Sequence, residues 1–140
     1  VIRFARPGDI PALLEIQQKV SDALPHPDGI GFNRDHAAQV MVNAMQARNA
    51  CLIVSDPVAS AIGGSLIPVW FDQSQIVART FLYWGAGDGP LLLDAFAAWG
   101  REMGATRVRA DALDYRTKAT ARAYRRNGFR PVEHVYERVL

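Results

Sequence analysis

Between Cys51 and Tyr83 the chain reads as three strands joined by short turns, and this stretch limits the fold more than any other. Cys51-Leu52-Ile53-Val54 is an apolar run that Asp56-Pro57 turns back. Ala61–Trp70 predicts a long strand, and Phe71-Asp72-Gln73-Ser74 predicts the next turn. Gln75–Tyr83 follows, with Ile76, Ala78, Thr80 and Leu82 expected on one face and Val77, Arg79, Phe81 and Tyr83 on the other. Connections this short permit only antiparallel neighbours, because a parallel crossover needs a dozen residues or more. The pair Gly63-Gly64 inside the second strand predicts a bulge or a close backbone neighbour.

The flanks follow a different grammar. Val1–Ala5 alternates as a strand, Arg6-Pro7-Gly8-Asp9 turns, and Asp9 can cap a helix carrying Ile10, Leu13, Leu14, Ile16 and Val20 to about Ala23. Prolines and glycines make Leu24–Phe32 a loop, and Asn33 or Asp35 starts a second helix to about Ala47, with Ala38, Val42 and Met45 on one face. After the three strands, Trp84-Gly85-Ala86-Gly87-Asp88-Gly89-Pro90 forms a glycine-rich loop. Pro90 opens a helix whose core face is read as Leu91, Leu92, Ala95, Phe96 and Trp99, ending at Met103-Gly104. Arg107–Leu113 predicts a strand, Thr117 caps a helix that stops at Asn127-Gly128, and Phe129 returns to the core. Val132–Leu140 predicts a last strand. The order β-α-α-β-β-β-α-β-α-β gives an α+β fold, a mixed and mostly antiparallel sheet flanked by about four helices, as one domain over residues 1–140.

Composition narrows the function. The single cysteine, Cys51, excludes an internal disulfide, and its place at the head of an apolar strand marks a buried structural thiol. The three histidines and the acids show no metal-ligand spacing, and no serine sits in a nucleophile elbow. No apolar run reaches the ~18 residues that span a bilayer, so the expected location is cytoplasmic. Charge is uneven: residues 101–140 carry ten Lys and Arg against five Asp and Glu, while residues 1–100 are net acidic. That basic excess suits a phosphate-bearing small molecule or an acidic surface. Exposed aromatics interleaved with the basic residues, as a single-stranded nucleic-acid platform needs, are missing, so nucleic acid is a minor reading.

Strand, glycine loop and helix can present free backbone N–H groups to a phosphate, although a plain tight turn explains the same residues equally well. The loop is neither a Walker loop nor a Rossmann fingerprint. Three stretches then carry a family resemblance. Leu92-Leu93-Asp94-Ala95-Phe96-Ala97-Ala98-Trp99-Gly100-Arg101-Glu102-Met103-Gly104-Ala105 resembles the "LLeaaeewAkelGa" helix of the GNAT N-acetyltransferases. Tyr124-Arg125-Arg126-Asn127-Gly128-Phe129 is similar to their "YeklGF" signature, and Ile2-Arg3 with Arg6-Pro7-Gly8-Asp9-Ile10 to their opening.

The resemblance implies a sheet splayed between Gln75–Tyr83 and Arg107–Leu113, with the pantetheine arm of acetyl-CoA in the gap. It implies a cofactor-binding set of Phe81, Tyr83, Gly85, Gly87, Gly89, Pro90, Thr117 and Arg122, in which the N–H groups of the loop hold the pyrophosphate. It implies acetyl transfer to a primary amine by direct attack, with Tyr124 as acid for the leaving thiolate. A base must take the amine proton; among Asp111, Asp114, His26 and His134, Asp111 is the preferred candidate. Two departures stand out: Trp84 occupies the place of an expected arginine, and Asp88 that of an apolar residue. They motivate a rival reading, a non-catalytic binding or structural module in a homo-oligomer or a larger assembly such as a phage particle, where it would be virion-associated.

Overall fold

A computed structural model of the chain describes residues 1–23, 32–112, 119–136, 138 and 140. Among the described residues, five strands form one sheet in the order β1-β2-β3-β4-β5: β1 (Ile2–Phe4), β2 (Ala50–Ser55), β3 (Ala61–Val69), β4 (Asp72–Trp84) and β5 (Arg107–Arg109). The first four are mutually antiparallel, and β5 joins β4 in parallel. Four helices accompany them: α1 (Ile10–Ala23), α2 (Arg34–Gln46), α3 (Gly89–Glu102) and α4 (Ala119–Arg126). The expected meander and mixed sheet are therefore present.

Each face of the sheet buries its own cluster. Leu13 and Ile16 of α1 and Met41 and Ala44 of α2 pack on Leu52, Val54, Ala61 and Leu82. On the other face Leu92, Leu93, Phe96 and Trp99 of α3 and Tyr124 of α4 pack on Cys51, Ile53, Ile62 and Ala78. Alternation along β2 sends odd and even residues to opposite layers, as the pleat requires. The Cys51 thiol is buried as expected, and loss of solvent pushes its pKa up to about 12.

Two acids hold the start of the chain: Asp56 accepts the Arg3 Nε–H at 2.9 Å, and Asp9 does more. Asp9 accepts the Arg6 N–H at 2.7 Å and the Arg3 guanidinium at 2.7 and 3.1 Å, closing the turn that leads into α1. The Arg3 hydrogen bond is the main cause that lowers the Asp9 pKa to about 2. Asn33 accepts the N–H of His36 and so caps α2.

On α2 the expected Ala38, Val42 and Met45 are half-buried beside the buried Met41 and Ala44. Three expectations are corrected. Leu91 is 56% exposed, and Leu93 takes the core position instead. Residues 131–136 form no strand: Val132, Val135 and Tyr136 are exposed, and alternation makes a strand only where a neighbouring edge accepts its hydrogen bonds. Finally, β4 does not keep one phase. Gly63 pairs with Leu82 and Gly64 with Thr80, so Phe81 has no partner on β3. That bulge puts Phe81 and Leu82 together on the α1/α2 side, and returns Tyr83 to the α3 side with Ala78. Phe81 and Tyr83 thus lie on opposite faces of the sheet.

The glycine pair explains why the bulge sits there. A Cβ on Gly64 would run into the Arg79 carbonyl and stand 2.5 Å from the Phe96 ring, while one on Gly63 would stand 2.5 Å from Leu52 and 2.8 Å from Phe81. At Gly64 the obstacle is backbone, whereas at Gly63 it is two side chains that would have to shift.

Candidate active site

Pairing between β4 and β5 covers three residue pairs, Val77 with Arg107, Ala78 with Val108 and Arg79 with Arg109, and then stops. Beyond it the strands are linked by the Asp111 N–H, 3.4 Å from the Thr80 hydroxyl oxygen. The bulge falls at this point on β4. Among the described residues, ladder pairing with β5 thus does not reach the C-terminal end of β4.

The same end of β4 runs into the glycine turn. Gly87 adopts φ +98°, a conformation that glycine enters without steric cost. The turn folds tightly over the Tyr83 ring: a Cβ on Gly89 would lie 2.5 Å from the Tyr83 hydroxyl oxygen, and one on Gly85 2.8 Å from the Gly89 Cα. The Ala86 N–H is already used, donating to the fully buried Ser60 hydroxyl at 2.9 Å. The N–H groups of Gly87, Asp88, Gly89 and Leu91 have no acceptor among the described residues. Asp88 stands at the cap of α3, but its carboxylate makes no cap hydrogen bond and does not fill this donor set. Pro90 occupies the first turn and is exposed.

Under the turn lies an aromatic stack. Tyr83 and Tyr124 have ring centroids 5.4 Å apart, as do Tyr124 and Phe129. Burial raises the Tyr83 pKa above its ordinary value. Tyr124 is buried, and its hydroxyl donates to the Asp111 backbone carbonyl at 2.9 Å. The hydroxyl that the sequence nominates as an acid thus already gives its proton to a peptide oxygen. Asp111 contributes its carbonyl to this contact, while its half-exposed carboxylate meets Arg79 at 3.2 Å, an arginine that Glu133 also approaches at 3.6 Å. Arg122 is exposed on α4, and neither it nor Arg125 nor Arg126 has a carboxylate partner among the described residues.

The structure brings together Tyr83, Gly85, Gly89, Tyr124 and the backbone of Asp111. Phe81 is turned to the other face, His134 is exposed in the segment after α4, and Thr117, His26 and Asp114 lie outside the described residues. Sequence reasoning missed Ser60 and Thr80, whose partners are 26 and 31 residues away. A lone serine or threonine in an apolar run carries no signal of such a contact. Among the described residues no group of His, Cys, Asp and Glu could hold a metal ion, and no helix is long and apolar enough to cross a membrane.

No protein-family profile matches the chain, and no curated protein matches it. Solved structures do share its fold. A predicted acetyltransferase from Clostridium acetobutylicum, solved with acetyl-CoA, superposes with a TM-score of 0.76 at 14% identity, covering 99% of this chain and 95% of its own. The aminoglycoside 6'-N-acetyltransferase AAC(6')-IG of Acinetobacter haemolyticus gives 0.74 at 17% identity, over 100% and 97% of the two chains. A transcriptional regulator from Bacillus halodurans C-125 gives 0.75 at 16% identity, over 100% and 99%. This chain shares the fold of these structures, the mixed and mostly antiparallel sheet flanked by helices that the sequence motifs imply.

Proposed function

We propose that this chain is an N-acetyltransferase that moves the acetyl group of acetyl-CoA to a primary amine by direct attack. The observation that carries the reading is the donor set at the glycine turn. Four N–H groups without an acceptor among the described residues, at Gly87, Asp88, Gly89 and Leu91, stand at the start of a helix and just past the end of β4. Such a turn suits a pyrophosphate, because amides left without an acceptor can donate to it and the helix dipole favours negative charge. Arg122, Arg125 and Arg126 of α4, which have no carboxylate partner among the described residues, add a positive field for a phosphorylated substrate.

In the transfer, the amine lone pair attacks the thioester carbonyl carbon and the carbon–sulfur bond breaks. The nitrogen loses one proton and the departing sulfur gains one, giving an N-acetyl amine and free CoA. Tyr124 is the assigned donor to sulfur. It can serve only if its hydrogen bond to the Asp111 carbonyl is exchanged for one to the thiolate. The Asp111 carboxylate, or a water it holds, is the assigned base; it pairs with Arg79 at 3.2 Å.

Calorimetric titration with acetyl-CoA tests the reading: micromolar binding supports it, and no heat at high micromolar acetyl-CoA overturns it. The second reading, a binding module without turnover, is favoured by the Asp88 carboxylate beside the donor set, since it opposes a diphosphate. That reading predicts the silent titration.

A further inference from the structure

A recess of about 220 Å³ opens at the β1 edge of the sheet, away from the glycine turn. Its lining draws on both layers: Ala44, Met45 and Leu52 belong to the α1/α2 side, while Cys51 and Trp99 belong to the α3 side. Residues of both layers meet in one recess only at an edge, and the edge here is β2 itself, because β1 has ended. Hydrogen bonding fixes which groups of β2 are left over. The Asn49 carbonyl accepts the Leu66 N–H at 2.8 Å on the β3 side, and the Leu52 carbonyl accepts the Ala5 N–H at 2.9 Å on the β1 side. Alternation therefore turns the N–H and C=O of Ala50 toward the β1 side as well. The β1 register would set Pro7 opposite Ala50, but Pro7 already belongs to the turn before α1 and has no N–H to give. Ala50 thus keeps an open donor and an open acceptor among the described residues, in a wall of the recess. Arg48 lines the same recess, is exposed, and has no carboxylate partner among the described residues.

We propose that this recess binds an N-acylated amino acid with an apolar side chain. One residue opposite Ala50, running antiparallel to β2 as β1 does, makes both of the ladder bonds that Pro7 does not: its amide N–H donates to the Ala50 carbonyl, and its carboxylate accepts the Ala50 N–H. In that polarity the carboxyl end points along β2 toward Arg48, whose guanidinium adds a charge-assisted hydrogen bond. The acyl end points back toward Ala5, where β1 already occupies the edge, so the ligand is one residue long rather than a peptide strand. Acylation also removes the ammonium charge, which Arg48 would repel. Side chains opposed across a ladder share a face, and Ala50 packs on the α1/α2 side, so the side chain of the ligand falls against Ala44 and Met45. Apolar carbon there gains by leaving water. The volume lies below the ~300–1,000 Å³ of clefts that enclose a drug-sized ligand, which suits a single acylated residue. The recess does not depend on the acetyltransferase reading.

The test titrates the isotope-labelled full chain, without acetyl-CoA, with N-acetyl-L-leucine and follows the backbone amides by NMR. A saturable shift of the Ala50 amide is expected, with a Kd of about 1 mM, the strength usual for so small a ligand. N-acetyl-leucinamide, which lacks the carboxylate, and leucine, which keeps its ammonium, are each expected to bind roughly ten-fold more weakly. Arg48→Gln, at an exposed position, should lose roughly ten-fold in affinity for N-acetyl-leucine and nothing for its amide. The proposal is overturned by the absence of a saturable shift at Ala50 at roughly ten times that concentration. Equal affinity for the acid and its amide, or an affinity unmoved by Arg48→Gln, overturns it too. So does tighter binding of N-acetyl-glycyl-glycyl-leucine than of N-acetyl-leucine, because that result gives the edge to a peptide strand.

Discussion

The hydroxyl of Ser60, fully buried at the start of β3, accepts the N–H of Ala86 at 2.9 Å and so ties the glycine turn to the sheet. Ser60 is itself fixed, because its N–H donates to the Ser55 hydroxyl at 3.0 Å, which in turn donates to the Pro57 carbonyl. The free donors of the turn are thus oriented by a chain of hydroxyls remote in sequence. Ser60→Ala removes the acceptor and is expected to cost about 1 kcal/mol of stability. It should weaken acetyl-CoA binding several-fold, read by denaturant melts and calorimetry; an unchanged affinity would show that the turn holds its shape without the tether.

The two stacked tyrosines should respond differently to loss of oxygen. Tyr124→Phe deletes the donor to the Asp111 carbonyl, and is expected to cost about 1 kcal/mol. If Tyr124 protonates the thiolate, kcat should also fall roughly a hundred-fold while the acetyl-CoA Kd stays level. Tyr83→Phe breaks no hydrogen bond among the described residues, and should leave the melting temperature within about a degree or two. Equal losses of kcat in both variants would count against Tyr124 as the acid.

Gly64→Ala should be among the most disruptive single-atom-group additions in the chain. Its methyl meets the Arg79 carbonyl, which is backbone, and the Phe96 ring, which is wholly buried. Neither can retreat without moving β4 or α3, so overpacking is expected to cost about 1–3 kcal/mol. Thermal unfolding checks it, and a melting temperature equal to that of the parent would disprove the steric argument.

Acid should erode the fold through Asp9. Its pKa is lowered by Arg3 from 3.8 to about 2 in the folded chain. The unfolded state therefore binds this proton first, and the contribution of Asp9 is complete above about pH 4 and lost as pH falls through about 2. Urea melts between pH 5 and pH 2 should show the decline, and Asp9→Asn should flatten that part of the profile while lowering stability at pH 7.

Cys51, with its pKa pushed up to about 12 by burial, holds almost no thiolate at pH 8. Native protein should resist iodoacetamide for hours and react promptly in denaturant. Fast labelling of the native state would mean that β2 opens readily.

The meander was legible because period-two runs and short turns leave one solution. The helix end at Asn127-Gly128-Phe129 was legible for a similar reason, and Phe129 does pack beside Tyr124. The phase of α3 was not: Leu91-Leu92-Leu93 fits two faces equally, and the choice is made by which leucines meet the sheet. Nor was the far half of β4, since Gly63-Gly64 announced an irregularity without saying that the partner strand held the extra residue. At the site, the glycines and Tyr124 could be found from local spacing, whereas the roles of Ser60 and Thr80 exist only through contacts between distant segments. Val132–Tyr136 failed because strand character belongs to a pair of segments rather than to one.

The unpaired Phe81 has a consequence for how this chain can change. With one residue more than its neighbour, β4 is written in two reading frames, and side chains before and after the bulge obey opposite inside–outside rules. Deleting a single residue there would not shorten a loop; it would exchange the layers served by everything between the bulge and the glycine turn, carrying Tyr83 away from Tyr124. Point substitutions along this strand can accumulate one at a time, but its length is fixed by parity.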